Sequence, residues 1–370
     1  MEAARDLSAR VDAALPGLAG NDRVVIAQRC ESDYARMRVL RGDSASAVDV
    51  EQSDRRRAWV TLLTNASYAG GVKALHNSLA ACDSEYSLVV MFTDGVPADV
   101  QASLADHGCE LLHVEVLPLP SGTGDRDAAY SSAHFAECWT KLRLWEQEQY
   151  EAIVYLDADM VILKNIDELL EHTLVGGCPA SQACHIRAVH ECFCAVKRGD
   201  VPCAYIQQGT SKPSAPPPTP HERSYFNAGL FVMRPSRVVF EHMVAALAGF
   251  DLSSCPFAEQ DFLNAYFKGS WEALPWVFNA TKTLYACHRE HVNGCRNGLW
   301  VLQSVRNLHF TMAKPWNLKD PGHQGFERLN KLWWAAYAEP QALGRVLLQV
   351  HMQEKKAAAA RAPPKDSPGW

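Results

Sequence analysis

From Ala58 onward, short apolar runs rich in β-branched residues alternate with stretches whose apolar residues recur at helical spacing. No other feature restricts the fold as much. Trp59-Val60-Thr61-Leu62-Leu63-Thr64 is stopped by Asn65, and Tyr68 to Ala81 follows with Val72, Leu75 and Leu79 on one face. Leu88 to Thr93, a helix from Ala98 to His107, and Glu110 to Val116 continue the rhythm. A helix from about Ala133 to Gln149 then leads into Ala152-Ile153-Val154-Tyr155-Leu156, whose unbroken apolar character marks a central strand. Such alternation predicts an α/β domain, with a mostly parallel sheet flanked by helices. Regular structure is expected again from Tyr225 to Met233, from Ser236 to Leu247 and from Glu259 to Lys268.

The rhythm defines the expected organisation. Residues 1–57 read as a helical extension and 58–320 as the main α/β domain. Within that domain, Gly176 to Pro220 is a surface insertion rich in cysteine and proline. Residues 321–354 read as a C-terminal helical segment, and 355–370 as a disordered tail. The net charge of −6 excludes the basic face that nucleic acid requires. No apolar run approaches the roughly 18–20 residues that span a bilayer, so no membrane partner is expected. Met1 to Gly20 carries charges where a secretory leader would be apolar, which leads us to expect a cytoplasmic protein with reduced thiols.

In an open parallel sheet, ligands bind beyond the carboxyl ends of the strands, and Asp157-Ala158-Asp159 stands at that edge. Residues two apart on an extended segment point the same way, so this pair can offer two carboxylates to one divalent ion. It would equally serve as a strand-to-turn pair capping a helix near Asn165. Neither the dinucleotide glycine fingerprint nor a phosphate-loop lysine is present, which favours a nucleotide-sugar over NAD or ATP. Twelve cysteines are the odd element of the composition. Cys178, Cys184, Cys192, Cys194 and Cys203, with His185 and His190, invite a zinc reading. Their spacings supply no Cys-X₂-Cys pair, so small buried thiols are the expectation.

Several separated motifs occur together and in order: Val60 to Asn65 followed by Tyr68; Lys141-Leu142-Arg143-Leu144-Trp145; Tyr155 to Asp159; Asn165 to Leu169; Phe226 to Val232; Ala258 to Asn264; and His309-Phe310 with Lys314-Pro315-Trp316-Asn317. In these the chain resembles the retaining glycosyltransferases of family 8, which include glycogenin and the plant galactinol synthases. The resemblance covers Ala58 to about Asn317. It implies a single Rossmann-like nucleotide-sugar-binding domain of the glycosyltransferase A type.

The resemblance also implies site residues. Asp157, Asp159 and His309 match the family's metal ligands, implying Mn²⁺ at the diphosphate of a UDP-hexose. Leu62, Thr64, Asn65 and Tyr68 match uridine-binding positions, with Ala158 and Ala228 in the donor-binding motifs. Lys141 and Lys314 match lysines near the donor sugar and diphosphate, and Asn227 matches a sugar-contacting asparagine. Glu259 and Gln260 align with the Asp-Gln pair expected to face the donor hexose. Pro256 and Ser132 replace charged residues of glycogenin, whereas Cys192-Phe193-Cys194 and Pro256 to Asn264 look like galactinol synthase. The leading expectation is thus a retaining transferase moving galactose or glucose to a small polyol, myo-inositol favoured, or to a saccharide. A self-glucosylating primer using Tyr285, a UDP-sugar-binding protein without turnover, and a homodimer are kept open.

Overall fold

The computed structural model describes residues 56–118, 137–171, 186–194, 203–205, 219–221, 223–251, 255–289 and 298–361, with side chains as far as 353. Among them, strands β1 (Arg56–Leu63), β2 (Leu88–Phe92), β3 (Glu110–His113), β4 (Tyr150–Leu156), β6 (Ile186–His190), β7 (Phe226–Met233) and β8 (Trp271–Leu274) form one sheet in the order β3-β2-β1-β4-β7-β6-β8. Strands β1 to β4 are mutually parallel and β6 is parallel to β8, while β7 runs antiparallel to both β4 and β6. A mostly parallel, mixed sheet is therefore present as expected. A smaller sheet joins β5 (Met160–Ile162), β10 (Asn307–His309) and β9 (Ala280–Thr281).

Side chains that alternate along the strands bury into two separate cores. Trp59, Leu63, Val154 and Leu156 face one core. It is covered by α1 (Ala69–Ala81) and α2 (Ala98–Asp106), and closed from outside by α7 (Glu327–Ala338) and α8 (Pro340–Arg361). Val60, Ile153 and Tyr155 face the other, covered by α4 (Arg237–Ala248) and α5 (Glu259–Tyr266). All eight residues of β7 are buried, which is why its sequence shows no polar alternation.

Four expectations need correction. The first concerns the helix expected from Ala133 to Gln149. In its described part this is a 3₁₀ run over Cys138–Glu146. Its apolar residues Trp139, Leu142 and Trp145 recur every third position. A three-residue turn aligns them on one face, where Trp145 stacks on Phe231 at 5.6 Å and on Phe267 at 5.8 Å. Second, the helix expected near Asn165 is the single turn α3 (Glu168–Glu171), preceded by a side-chain cap in which Asn165 Oδ1 accepts the Asp167 N–H at 2.8 Å. Third, the segment read as a surface insertion contributes β6 to the interior of the main sheet, between β7 and β8. Fourth, the tail expected to be disordered is helical as far as Arg361. Residues 1–55, with Val11, Leu15 and Leu18, lie outside the described residues, as do Cys178, Cys184 and His185.

Candidate active site

The Asp157-Ala158-Asp159 turn connects the two sheets. It leaves β4 at the carboxyl edge, and the Asp157 N–H donates to the Gly229 carbonyl of β7 at 2.8 Å. Beyond the turn, β5 pairs antiparallel with β10, placing His309 opposite Met160, and the Phe310 N–H donates to the Asp159 carbonyl at 2.9 Å. Two residues about 150 positions apart are thereby fixed side by side. His309 Nε2 lies 3.2 Å from Asp159 Oδ1 and 3.8 Å from Asp157 Oδ2. Donor atoms from all three side chains lie within 4.8 Å of one another.

The imidazole is oriented from behind. His309 Nδ1 lies 2.9 Å from Asn279 Oδ1, an atom that can only accept, so Nδ1 carries a proton and Nε2 is the nitrogen turned toward the two carboxylates. Asn279 Nδ2 donates to Asn227 Oδ1 at 2.8 Å, and Asn227 Nδ2 donates in turn to Glu191. Two carboxylates and an imidazole form a donor set suited to a borderline-hard divalent ion such as Mn²⁺. Asn279 and Glu191 were not among the expected site residues. Isolated polar residues far apart in sequence carry no spacing signal.

In front of the triad, an open cleft of about 920 Å³ is lined by Leu62, Thr64, Asn65, Tyr68, Lys141, Asp157, Ala158, Asp159, Glu259, Gln260 and Lys314. Leu63, Cys138, Tyr155 and Phe257 also line it, without having been expected. Asn227 and Ala228 are not in the lining. The Asn227 amide is buried, with Oδ1 accepting from the Gly229 N–H as well as from Asn279. Ala228 contributes backbone, its N–H donating to Gln260 Oε1 at 2.9 Å and its carbonyl accepting from Lys141 at 3.3 Å. Asn65 has a turn-forming role too: its Oδ1 accepts the Ser67 N–H at 3.0 Å. Tyr285, the candidate acceptor for self-glucosylation, is buried between Trp300 and Phe326 and does not line the cleft.

Two cations face three carboxylates across this cleft. Lys141 Nζ is 2.6 Å from Glu259 Oε1, 3.3 Å from Asp157 Oδ1 and 4.6 Å from the centre of the Tyr155 ring. Burial disfavours its charge, but the Asp157 and Glu259 carboxylates more than offset this and hold the ammonium well above its usual pKa. Lys314 is raised in the same way against burial, chiefly by the ion pair of its Nζ with Asp159. Burial would raise the Asp159 pKa, but Lys314 and His309 outweigh it and keep that carboxyl ionised far below the usual range. Each of the two lysines thus has a carboxylate partner within the cleft.

Glu259 opens α5 directly after Ala258, whose φ of +48° is a strained conformation for a residue with a Cβ. That kink turns Glu259 toward Lys141. Close backbone approach matters on the other side. A Cβ at Gly71 of α1 would strike the Ala158 carbonyl, so only glycine lets the helix sit against the aspartate turn.

The sequence model of Glycosyl transferase family 8 matches residues 59–320. Galactinol synthase 4 of Arabidopsis thaliana is 32% identical over 301 residues, which are 77% of this chain and 82% of that protein. Galactinol synthase 1 of Ajuga reptans is 30% identical over 308 residues, 79% of this chain and 84% of that protein. Among solved structures, that of an active-site mutant of LgtC superposes with a TM-score of 0.50 at 20% identity, covering 74% of this chain and 94% of that one, a likeness of fold.

Proposed function

Because the chain belongs to glycosyl transferase family 8, and is therefore a glycosyltransferase, we propose that it moves galactose from a UDP-sugar to a small polyol, myo-inositol foremost, with retention at the anomeric carbon. The observation that carries this reading is the meeting of Asp157, Asp159 and His309 with Lys141 and Lys314 around one cleft at the carboxyl edge of the sheet. Similarity to galactinol synthases over about four-fifths of the chain favours galactose and a polyol.

Mn²⁺ held by Asp157, Asp159 and His309 would supply Lewis-acid neutralisation of the UDP diphosphate. In retaining transfer the bond between the anomeric carbon and the diphosphate oxygen breaks. The acceptor oxygen bonds to that carbon on the same face, and its proton passes to the departing diphosphate. Lys314, at the rim of the triad, stabilises the negative charge that grows on the leaving group. Tyr68, which lines the cleft, presents an aromatic ring for the uracil. The Glu259 carboxylate, neutralised by Lys141, stabilises positive charge at the anomeric carbon. Gln260 holds the Ala228 backbone beside it.

Replacing Lys314 by alanine is expected to lower kcat about 10²- to 10³-fold, the usual cost of losing one such electrostatic contact. The change in donor KM should be smaller, and Lys314→Arg should recover part of the rate. Equal losses for arginine and alanine in steady-state kinetics would contradict a charge-based role.

The reading as a whole is tested by incubating the purified chain with UDP-galactose, UDP-glucose or UDP-glucuronic acid and with myo-inositol, glycerol or maltooligosaccharides. We expect the fastest transfer from UDP-galactose to myo-inositol, an α-linked product by NMR, loss of activity in EDTA and recovery with Mn²⁺. Hexose attached to the protein itself, seen by mass spectrometry in place of a free product, would overturn the polyol assignment.

A further inference from the structure

A second cluster of ligating side chains lies away from the cleft. Cys192 and Cys194 follow β6, Cys203 comes from the segment 203–205, and His288 ends α6 (Lys282–His288). One donor atom from each of the four lies within 4.8 Å of all the others. Cys203 Sγ is 3.9 Å from Cys192 Sγ and 3.4 Å from His288 Nε2, and Cys194 Sγ is 3.6 Å from the same nitrogen. A tetrahedral zinc ion with bonds of about 2.3 Å to sulfur and about 2.0–2.1 Å to nitrogen has edges of about 3.8 Å between sulfurs and about 3.6 Å from sulfur to nitrogen. These three edges match those of a single ion. They are too short for donors divided between two irons of a cluster. No disulfide is formed among the described cysteines.

We propose that Cys192, Cys194, Cys203 and His288 bind one structural Zn²⁺. Three thiolates and an imidazole are a donor set this ion prefers, and four protein ligands leave no open position for substrate. The surroundings suit a closed site: Cys192, Cys203 and His288 are buried, the Tyr205 ring meets the imidazole edge-on at 5.8 Å, and the Trp300 N–H donates to the His288 carbonyl at 3.1 Å. Of the residues that first suggested zinc, His190 lies elsewhere, packed against Trp271 at 4.8 Å. The missing ligand comes from 85 residues beyond Cys203.

The ion would join two connections that matter to the cleft. Glu191, one residue before Cys192, is the far end of the chain of amides behind His309. Helix α6, which His288 terminates, starts directly after β9, the strand whose Thr281 pairs with His309. Zinc here ties both supports of the imidazole together without touching substrate.

The test is elemental analysis of the full-length chain, purified in reductant without chelator. We expect about one zinc per chain that survives dialysis against EDTA and is released by a mercurial thiol reagent. Cys203→Ala and His288→Ala should lose the zinc, whereas Cys109→Ala, a buried cysteine outside the cluster, and Asp157→Ala should retain it. If the ligand variants fail to fold, X-ray absorption of the wild-type protein decides, with three sulfurs at about 2.3 Å and one nitrogen at about 2.0–2.1 Å expected. Little zinc even after supplementation, zinc with only nitrogen and oxygen neighbours, zinc lost in Asp157→Ala, or stoichiometric iron with visible absorption would each overturn the proposal. None of these readouts depends on sugar transfer, so zinc binding and glycosyl transfer stand or fall separately.

Discussion

Replacing Asp159 by asparagine is expected to lower the rate of UDP-galactose turnover by about 10³-fold or more, because metal-borne charge stabilisation supplies several kcal/mol in such reactions and each 1.36 kcal/mol is tenfold. The side chain is nearly inaccessible, accepts the contact of His309 Nε2 at 3.2 Å and carries the ion pair with Lys314. Asparagine keeps its shape and removes its charge. Asparagine still offers Lys314 a carbonyl oxygen, whereas alanine leaves the ammonium with neither charge nor acceptor, and breaking a buried pair from one side costs about 3–5 kcal/mol. Asp159→Ala should therefore lose stability as well as activity, while Asp159→Asn isolates the chemical role. Turnover assayed across a range of Mn²⁺ concentrations, beside thermal denaturation of both variants, separates the two effects. Activity of Asp159→Asn within tenfold of wild type would remove this carboxylate from the metal site.

Gly229→Ala is expected to be nearly as damaging, although it adds a single methyl group. A Cβ there would collide with His309 Cε1 and come within 2.7 Å of Asp157 Oδ2 and 2.9 Å of Asn227 Oδ1. None of the three can yield freely. His309 is held by Asn279, the Asp157 backbone is bonded to Gly229 itself, and the Asn227 carbonyl oxygen accepts two hydrogen bonds. Overpacking a rigid site costs about 1–3 kcal/mol, which for a chain of this size is a fall of roughly 1–4 °C in Tm. Displacing two ligands by several tenths of an ångström costs far more in catalysis, about 10²-fold or more in kcat/KM. Gly249→Ala, where only the Ala246 carbonyl comes as near as 4.0 Å, is the matched control and should change neither quantity appreciably. A Gly229→Ala protein with wild-type Mn²⁺ dependence would show that the triad has slack which the packing denies.

The parts of the fold legible in the sequence are those written in periodicity. The runs at Trp59, Leu88 and Ala152 became strands, and Tyr68 to Ala81 became a helix preceded by one 3₁₀ turn. Direction is not written in periodicity: the Phe226 to Met233 run read clearly as a strand, but nothing in it said that it would run antiparallel to its neighbours. Strand β6 was missed because Arg187 and His190 interrupt its apolar character and cysteines and prolines surround it. Arg187 is accommodated by an ion pair with Glu272 on the adjacent strand.

The site shows the same division. Asp157 and Asp159 could be placed from their position at a strand end. His309 required the family resemblance, since a lone histidine in a short strand has no local signature. Asn227 was read as meeting the sugar, and its amide also joins the chain that runs from His309 through Asn279 to Glu191, a link with no local signature. His288 was invisible as a ligand because its partners lie on another part of the chain, and only folding brings them within reach.

The packing of α7 and α8 against α1 has a consequence for where this protein ends as a physical object. The family match stops at residue 320. The buried core does not: Leu329, Leu332, Trp333, Ala336, Leu343 and Val350 belong to the same cluster as Trp59, and the Ala336 carbonyl accepts from Asn77 of α1 at 2.8 Å. Tyr68 touches Trp316, Trp316 touches Trp333, and Trp333 stacks on Tyr337, so an unbroken aromatic ladder runs from the nucleotide end of the cleft to the outermost helices. The cooperative folding unit is therefore longer than the stretch matched by the family model. Helices α7 and α8 are the outer wall of α1, and α1 through Gly71 is the wall against which the catalytic turn rests.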